Sequence, residues 1–116
     1  TVHSTADDLV KFVRGLFAAK LLSPQSVAHL TSPARDGTGG PLPYGYGTLF
    51  KCVEGHAPFV RISGSSNGYE AYSLYLPGQD AYVAVLANIA AHGRANPYFP
   101  GPPATQIAVW LDDARA

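Results

Sequence analysis

Two tight-turn signals set the fold class of this chain, because each lies between two short segments with the pattern of a β-strand. The first is the dipeptide Asn67-Gly68, and the second is Pro77-Gly78-Gln79-Asp80. Strands joined by such short turns pair antiparallel. The pattern predicts four strands, at residues 44–53, 58–63, 69–76 and 82–89. The last of these is the most apolar, so we expect it to be central and buried on both faces.

Helical patterns lie on both sides of this strand region. Ser4-Thr5-Ala6-Asp7 has the form of a capping box and is followed by apolar residues at helical spacing. Ser23-Pro24 starts a second, short helix, and residues 104–114 predict a closing helix. Residues 31–43 and 91–103 are rich in proline and small residues and predict loops. We therefore expect an α+β fold, with an antiparallel β-sheet of about four strands covered by N-terminal helices and a C-terminal helix.

The chain is sparsely charged. Its 116 residues include 8 Lys+Arg and 8 Asp+Glu, so the formal net charge is zero and 14% of residues are charged, against about 25% in an average soluble domain. A neutral chain lacks the basic surface that a phosphate backbone requires, which excludes nucleic acid as a partner. The longest nearly uncharged stretch, residues 81–93, is too short to cross a bilayer. We expect an apolar patch on the isolated chain, or self-association that covers it.

The sequence offers few groups for metal or redox chemistry. Cys52 is the only cysteine, so neither an intrachain disulfide nor a cysteine zinc cluster can form. Its apolar surroundings predict a buried, inert thiol. The four histidines lie at no metal-ligand spacing, and H-E-x-x-H is absent. We therefore expect no metal and no other cofactor.

One short motif formally matches a catalytic pattern. Gly64-Ser65-Ser66-Asn67-Gly68 fits G-x-S-x-G, and Asp80 and His92 follow in the order of an α/β-hydrolase triad. A nucleophile elbow requires a strand before the serine and a helix after it, so that a strained turn exposes the hydroxyl. Residues 69–76 have strand periodicity instead. The pattern therefore favours a Ser/Gly-rich hairpin connection over an elbow.

Several segments within residues 1–90 match, in order, motifs that occur together in one group of enzymes. Residues 4–12 are similar to S-T-A-x-D-L-A-R-F, residues 21–27 to L-L-S-P-E-S-L, and residues 44–47 to the start of Y-G-L-G-W. Residues 61–69, R-I-S-G-S-S-N-G-Y, are similar to H-S-G-G-x-x-G-[FY], and residues 82–88 to V-V-V-L-x-N. On these motifs the chain resembles the C-terminal part of the serine β-lactamase / penicillin-binding-protein-like family, in its class C β-lactamase and esterase-like branch. The resemblance implies a partial β-lactamase-like fold.

The resemblance also implies a site. In the family, a Lys/His-Ser/Thr-Gly motif on one strand forms a wall of the active cleft, contacts the acyl substrate and donates a backbone N–H to the oxyanion. By this match Ser63 and Gly64 occupy the second and third motif positions, and the N–H of Ser65 faces the oxyanion. The first position is Ile62, which lacks the hydrogen-bond donor and the charge of the family's Lys or His.

The family's nucleophile lies in an S-x-x-K motif on a helix, which is missing here. Thr48 precedes Lys51 at this spacing, but in a strand-like run that points the two side chains apart. The family's Y-x-N motif is also missing. The resemblance therefore implies that residues 1–116 form a single unit, the C-terminal fragment of a larger two-lobe hydrolase. We assign neither nucleophile nor base to this chain, and expect the missing N-terminal part to supply both.

Two functions remain open. The first is the C-terminal portion of a β-lactamase-like serine hydrolase, which forms and hydrolyses an acyl-enzyme on a small-molecule β-lactam, D-Ala peptide or ester. The second is a non-catalytic α+β binding or interaction domain. It would recognise a partner through Ile62 and the tyrosines of the strands, Tyr69, Tyr72, Tyr75 and Tyr82. Members of the family are often periplasmic or secreted, and nothing in this sequence assigns a compartment.

Overall fold

A computed structural model describes residues 2–88 and 101–115 of the chain. Within them the elements follow in the order α1 (Ala6–Phe17), α2 (Pro24–Leu30), β1 (Leu49–Lys51), β2 (Phe59–Ser66), β3 (Tyr69–Leu76), β4 (Ala81–Ala87) and α3 (Gly101–Asp113). The strands form one antiparallel sheet in the order β1-β2-β3-β4. The predicted α+β class and four-stranded antiparallel sheet are confirmed.

Polar caps fix where the first two helices begin. The hydroxyl of Thr5 accepts a hydrogen bond from the backbone N–H of Asp8 at 3.1 Å, so α1 is capped by Thr5 rather than by the first residue of the predicted box. The hydroxyl of Ser23 accepts from the backbone N–H of Ser26 at 3.2 Å, with Pro24 in the first turn, as predicted.

The turn between β2 and β3 has the geometry that its sequence predicts. Asn67 and Gly68 both adopt positive φ angles, 49° and 87°, which is the conformation of a two-residue hairpin whose twist matches the strands. The turn joins Ser66 to Tyr69, which lie directly opposite each other in the register of the sheet. Because hydrogen-bonded positions alternate along antiparallel strands, this pair determines which backbone N–H and C=O groups of β2 face β3 and which face away from it.

Helices cover both faces of the sheet. On the α3 face, the side of the sheet against α3, the buried cluster comprises Phe59, Leu74, Leu76, Val83, Ala104 and Ala108. On the opposite α1 face, Val13 and Phe17 of α1 are buried with Val60. The ring of Phe17 stacks on Tyr75 at 4.7 Å between centroids, and Tyr75 stacks on Tyr82 at 5.1 Å.

The prediction that the most apolar strand is central is wrong. β4 lies at the margin of the sheet, and no strand within residues 2–88 and 101–115 pairs with its outer edge. Both α1 and α3 pack against β4, which accounts for its apolar residues on the two faces. Burial is nonetheless incomplete, since Leu86 on the α1 face is 39% exposed.

The prediction of a buried Cys52 is also wrong. β1 spans only Leu49–Lys51, so Cys52 lies beyond the end of a strand shorter than the predicted 44–53, and its side chain is exposed.

Of the predicted loop 91–103, residues up to 100 lie outside the described part of the chain. The last three belong to α3, because prolines are tolerated in the first turn of a helix.

The C-terminal end of α3 is fastened to two turns of the sheet. Asp112 accepts a hydrogen bond from the backbone N–H of Ala57 at 3.0 Å and another from the side-chain amide of Gln79. His56 Nδ1 lies 3.3 Å from Asp112 Oδ2, and Arg115 donates to the backbone carbonyl of Gln79 at 2.9 Å. The Ala57 N–H, followed by His56 and Gln79, holds the pKa of the Asp112 carboxyl below its ordinary value. No helix in the described residues is long and apolar enough to cross a membrane.

Candidate functional site

The candidate site lies where β2 loses its neighbour. β1 pairs only with Phe59, Val60 and Arg61, the first three residues of β2. From Ile62 to Ser66, no strand of the described residues covers the outer edge of β2. Ser63, Gly64 and Ser65, which the sequence singled out, lie in this uncovered segment, and all three are exposed. An open strand edge presents backbone groups that a ligand in extended conformation can pair with.

The register shows which backbone groups face this open edge. Ser66 and Tyr69 close the two-residue turn, so they exchange backbone hydrogen bonds. In an antiparallel pair, hydrogen-bonded and non-hydrogen-bonded positions alternate along the strand. The N–H and C=O of Gly64 therefore face β3, whereas those of Ser63 and Ser65 point away from β3, to the open edge.

Side chains in this segment alternate between the two faces of the sheet. The Ser63 and Ser65 side chains share the α3 face with Phe59, whereas Ile62 and Gly64 share the α1 face with Val60. A Cβ placed on Gly64 would meet nothing within 4 Å, so the strand is open to approach at this point. The approach to the backbone is therefore unobstructed on the α1 face.

Ile62 has a packing role. Its side chain is half-buried and packs against the cluster of Val13, Phe17 and Val60 under α1. The position that carries Lys or His in the motif is thus filled here by a side chain of the core. It supplies neither a proton nor a charge to the open edge of β2.

A polar row lies on the α3 face and was missed by the sequence analysis. The Arg61 guanidinium lies 5.4 Å from the centroid of the Tyr72 ring, and Tyr72 lies opposite Ser63. Glu70, opposite Ser65, is only 6% exposed, and its Oε2 has no hydrogen-bond partner among the described residues. Burial raises the pKa of the Tyr72 hydroxyl, against the opposing effect of the Arg61 charge. The sequence did contain one sign of this row, because Glu70 is a charged residue at alternate spacing with Tyr72 and Leu74, the residues of β3 that face the core on this side.

The structure also decides two arrangements that the sequence pattern disfavours, the nucleophile elbow at Ser66 and the pair of Thr48 and Lys51. Ser66 ends β2 and is followed by a tight turn and β3, so the elbow, which requires a helix, is absent from this segment. Asp80 accepts a hydrogen bond from the Tyr82 hydroxyl at 2.8 Å, and His92 lies outside the described residues. Thr48 is 2% exposed and donates to the Leu30 carbonyl at 2.9 Å, which excludes it as a nucleophile paired with Lys51.

This arrangement can bind and polarise a ligand. Outward N–H groups at two alternate positions can donate to a carbonyl oxygen or to an oxyanion, and small side chains leave room beside them. No group of three His, Cys, Asp or Glu side chains in the described part of the chain is arranged to hold a metal ion. The register shows that the backbone N–H and C=O groups of Ser63 and Ser65 are presented along this edge.

Comparison with known proteins places the chain in a family. The family model described as Beta-lactamase matches residues 1–98, which include α1, α2 and all four strands. No curated protein and no solved structure matches the chain. The family match spans the open edge of β2 and both helices on its N-terminal side.

Proposed function

This chain belongs to the Beta-lactamase family, and from its serine hydrolase-like fold we propose that it is the C-terminal portion of a β-lactamase-like serine hydrolase. The parent enzyme acylates a serine with a β-lactam, a D-Ala peptide or an ester and then hydrolyses the acyl-enzyme. The 116 residues supply the strand along which the acyl group lies. The nucleophile and the general base come from the N-terminal part of the parent.

One observation carries this proposal, the uncovered edge of β2. The N–H of Ser65 points to this edge, and Gly64 beside it leaves the approach open. A donor fixed by a sheet is already oriented before charge develops on the substrate, so it stabilises an oxyanion without reorganising. Removing one such donor costs hydrolases about 10²–10³-fold in kcat, which gives the scale of what Ser65 would contribute.

The absence of a nucleophile from this chain rests on its side chains. Thr48 is the only Ser or Thr with Lys three residues later, and its hydroxyl is buried against the Leu30 carbonyl. Ile62 fills the Lys/His position with an apolar group. In this proposal the chain contacts the acyl ligand without forming a covalent bond to it.

The proposal is tested by titrating the ¹⁵N-labelled chain with a penicillin, an acyl-D-Ala-D-Ala peptide and a simple ester. We expect shifts of the Ser63 and Ser65 amide signals, and no mass increase after incubation with fluorescent penicillin or a fluorophosphonate. Robust covalent labelling would contradict the absence of a nucleophile. Shifts confined to the strand tyrosines, with the Ser63 and Ser65 amides unmoved, would favour a non-catalytic binding domain.

A matched pair of variants isolates the Ser65 N–H. Ser65→Pro removes this donor but no ladder hydrogen bond, because the group points away from β3. Ser65→Ala removes the hydroxyl and keeps the N–H. We expect Ser65→Pro to weaken binding about tenfold, as the loss of one hydrogen bond implies, and Ser65→Ala to bind like the parent chain. Equal binding by both variants would refute the role of this N–H.

A further inference from the structure

Glu70, on the α3 face of β3, is a buried acid whose Oε2 atom has no hydrogen-bond partner among the described residues. The residue is only 6% exposed. Buried acidic groups are normally paired or hydrogen-bonded, because burial removes the water that stabilises their charge. Arg61, the cation of the polar row, lies over the Tyr72 ring, and its Nε is itself without a partner in the described part of the chain. Glu70 therefore retains an acidic group that the described residues do not use.

The register places Glu70 beside Ser65, whose backbone N–H faces the open edge of β2. Ser66 and Tyr69 are a hydrogen-bonded pair, so the next pair, Ser65 and Glu70, is a non-hydrogen-bonded one. The Cα atoms of such a pair are about 4.5 Å apart, which brings the two side chains close together. Both side chains lie on the α3 face, and that of Ser65 is small and exposed. A ligand paired with the outer edge of β2 would lie two strand spacings, about 10 Å, from the Glu70 backbone.

The one basic residue of β2 and β3 lies away from Glu70. Ile62 fills the motif position of Lys or His and carries no charge. Arg61 lies four residues from Ser65, or about 13 Å along the strand, where β1 covers the edge of β2. The polar row is therefore basic at its Arg61 end and acidic at its Glu70 end. A ligand bound at the Ser65 N–H meets the acidic end.

We infer that Glu70 determines ligand specificity, by favouring acyl compounds that carry an ammonium group next to the acyl carbonyl. This inference rests on the proposed function, in which the acyl oxygen accepts a hydrogen bond from the Ser65 N–H. An α-ammonium nitrogen is two bonds from the carbonyl carbon, so it lies near Ser65 whichever way the ligand runs along the strand. Aminoacyl esters and amides are therefore preferred over acyl compounds that have no cation at this position.

The size of the preference follows from the distance between the two charges. Two unit charges roughly 10 Å apart change an affinity by about 2- to 15-fold, as the effective dielectric constant falls from that of water to that of a protein surface. Because Glu70 is buried, salt screens its charge less than that of an exposed acid. The preference should therefore persist at physiological ionic strength.

Two esters that differ only in the cationic group test this inference on the ¹⁵N-labelled chain. D-Alanine ethyl ester carries the ammonium at pH 6, and in ethyl isobutyrate a methyl group replaces it. We expect both esters to shift the Ser63 and Ser65 amide signals, with the dissociation constant of the D-alanine ester lower by about 2- to 15-fold. Glu70→Gln should make the two dissociation constants equal. Glu54→Gln, which removes the same charge from an exposed turn, should keep the preference.

A second measurement uses the unmodified chain and so does not depend on the folding of a variant. The ¹³C signal of the Glu70 side-chain carboxyl should move with D-alanine ethyl ester and stay in place with ethyl isobutyrate. Equal dissociation constants for the two esters, or a preference that survives Glu70→Gln, would overturn the role of Glu70 and leave the proposed function standing on the shifts at Ser63 and Ser65. If neither ester shifts these two amide signals, the proposed function fails and this inference fails with it.

Discussion

Replacing Gly45 by alanine tests the packing of the loop that leads into β1. A Cβ at this position would lie 2.7 Å from Thr48 Oγ1 and 3.0 Å from the backbone oxygen of Ser32. The first distance is too short for two unbonded atoms, and the second neighbour is backbone, which cannot rotate away. Gly45 has no positive φ angle, so the effect of the substitution is steric and not conformational.

The expected loss in the free energy of unfolding follows from the hydrogen bond that Thr48 would lose. Its hydroxyl is buried and donates to the Leu30 carbonyl at 2.9 Å, so a displacement leaves both groups without a partner, at about 1–3 kcal/mol. Overpacking adds about 1–3 kcal/mol, and the lower entropy of the unfolded alanine chain returns about 0.4–1 kcal/mol. We therefore expect Gly45→Ala to lower the free energy of unfolding by about 1–6 kcal/mol.

Urea unfolding followed by circular dichroism measures this change, with the denaturant dependence expected to stay constant. Gly64→Ala is the matched control, because its added methyl group meets nothing within 4 Å. The control should change the free energy of unfolding by no more than about 0.5 kcal/mol in the destabilising direction. A Gly45→Ala chain as stable as this control would refute the close approach of the loop to Ser32 and Thr48.

Three further predictions concern the core and the titrating groups. Leu74→Ala, at a position 1% exposed, should cost about 2–5 kcal/mol in urea unfolding, whereas Leu42→Ala in the exposed loop should cost less than about 0.5 kcal/mol. The pKa of Asp112 is lowered in the fold, chiefly by the Ala57 N–H, so its stabilisation is present above the ordinary value of 3.8 and is lost as the pH falls through the folded value. Melting temperatures of Asp112→Asn should therefore depend less on pH in acid, and an unchanged slope would contradict this. Burial raises the pKa of Tyr82 to about 12, so the stabilisation that its neutral hydroxyl contributes is lost as the pH rises from 10 towards 12. In a pH titration followed by phenolate absorbance, Tyr82→Phe should lose the step that occurs at the highest pH.

Local chemistry made most of the fold predictable. Asn67-Gly68 can adopt the positive φ angles of a hairpin turn more readily than most dipeptides, and this fixed the pairing of β2 with β3. Ser23-Pro24 marked the start of α2 for an equally local reason. The order of the segments along residues 1–90 led to the family, which the match over residues 1–98 bears out.

The features that the sequence could not predict depend on which strands lie beside one another in the sheet. The apolar residues of β4 predicted a central strand, but helices on both faces produce the same composition at a margin. Cys52 is exposed because β1 ends one residue earlier, a boundary that apolarity alone does not mark. The row of Arg61, Tyr72 and Glu70 follows from the register between two strands, so no single segment contains it.

Because β1 is short, the second half of β2 is left uncovered and presents its backbone groups at a fixed spacing. Outward N–H groups at Ser63 and Ser65 repeat every two residues, a spacing of about 6.6 Å along the strand. Pairing with β3 on the other side holds this spacing before any ligand arrives, so binding does not have to order the strand. A ligand whose acceptor oxygens lie at the period of an extended peptide matches both groups at once, whereas a compact ligand reaches only one of them. In the proposed complex, selection by ligand length would therefore depend on the backbone of β2 and not on the serine side chains along it.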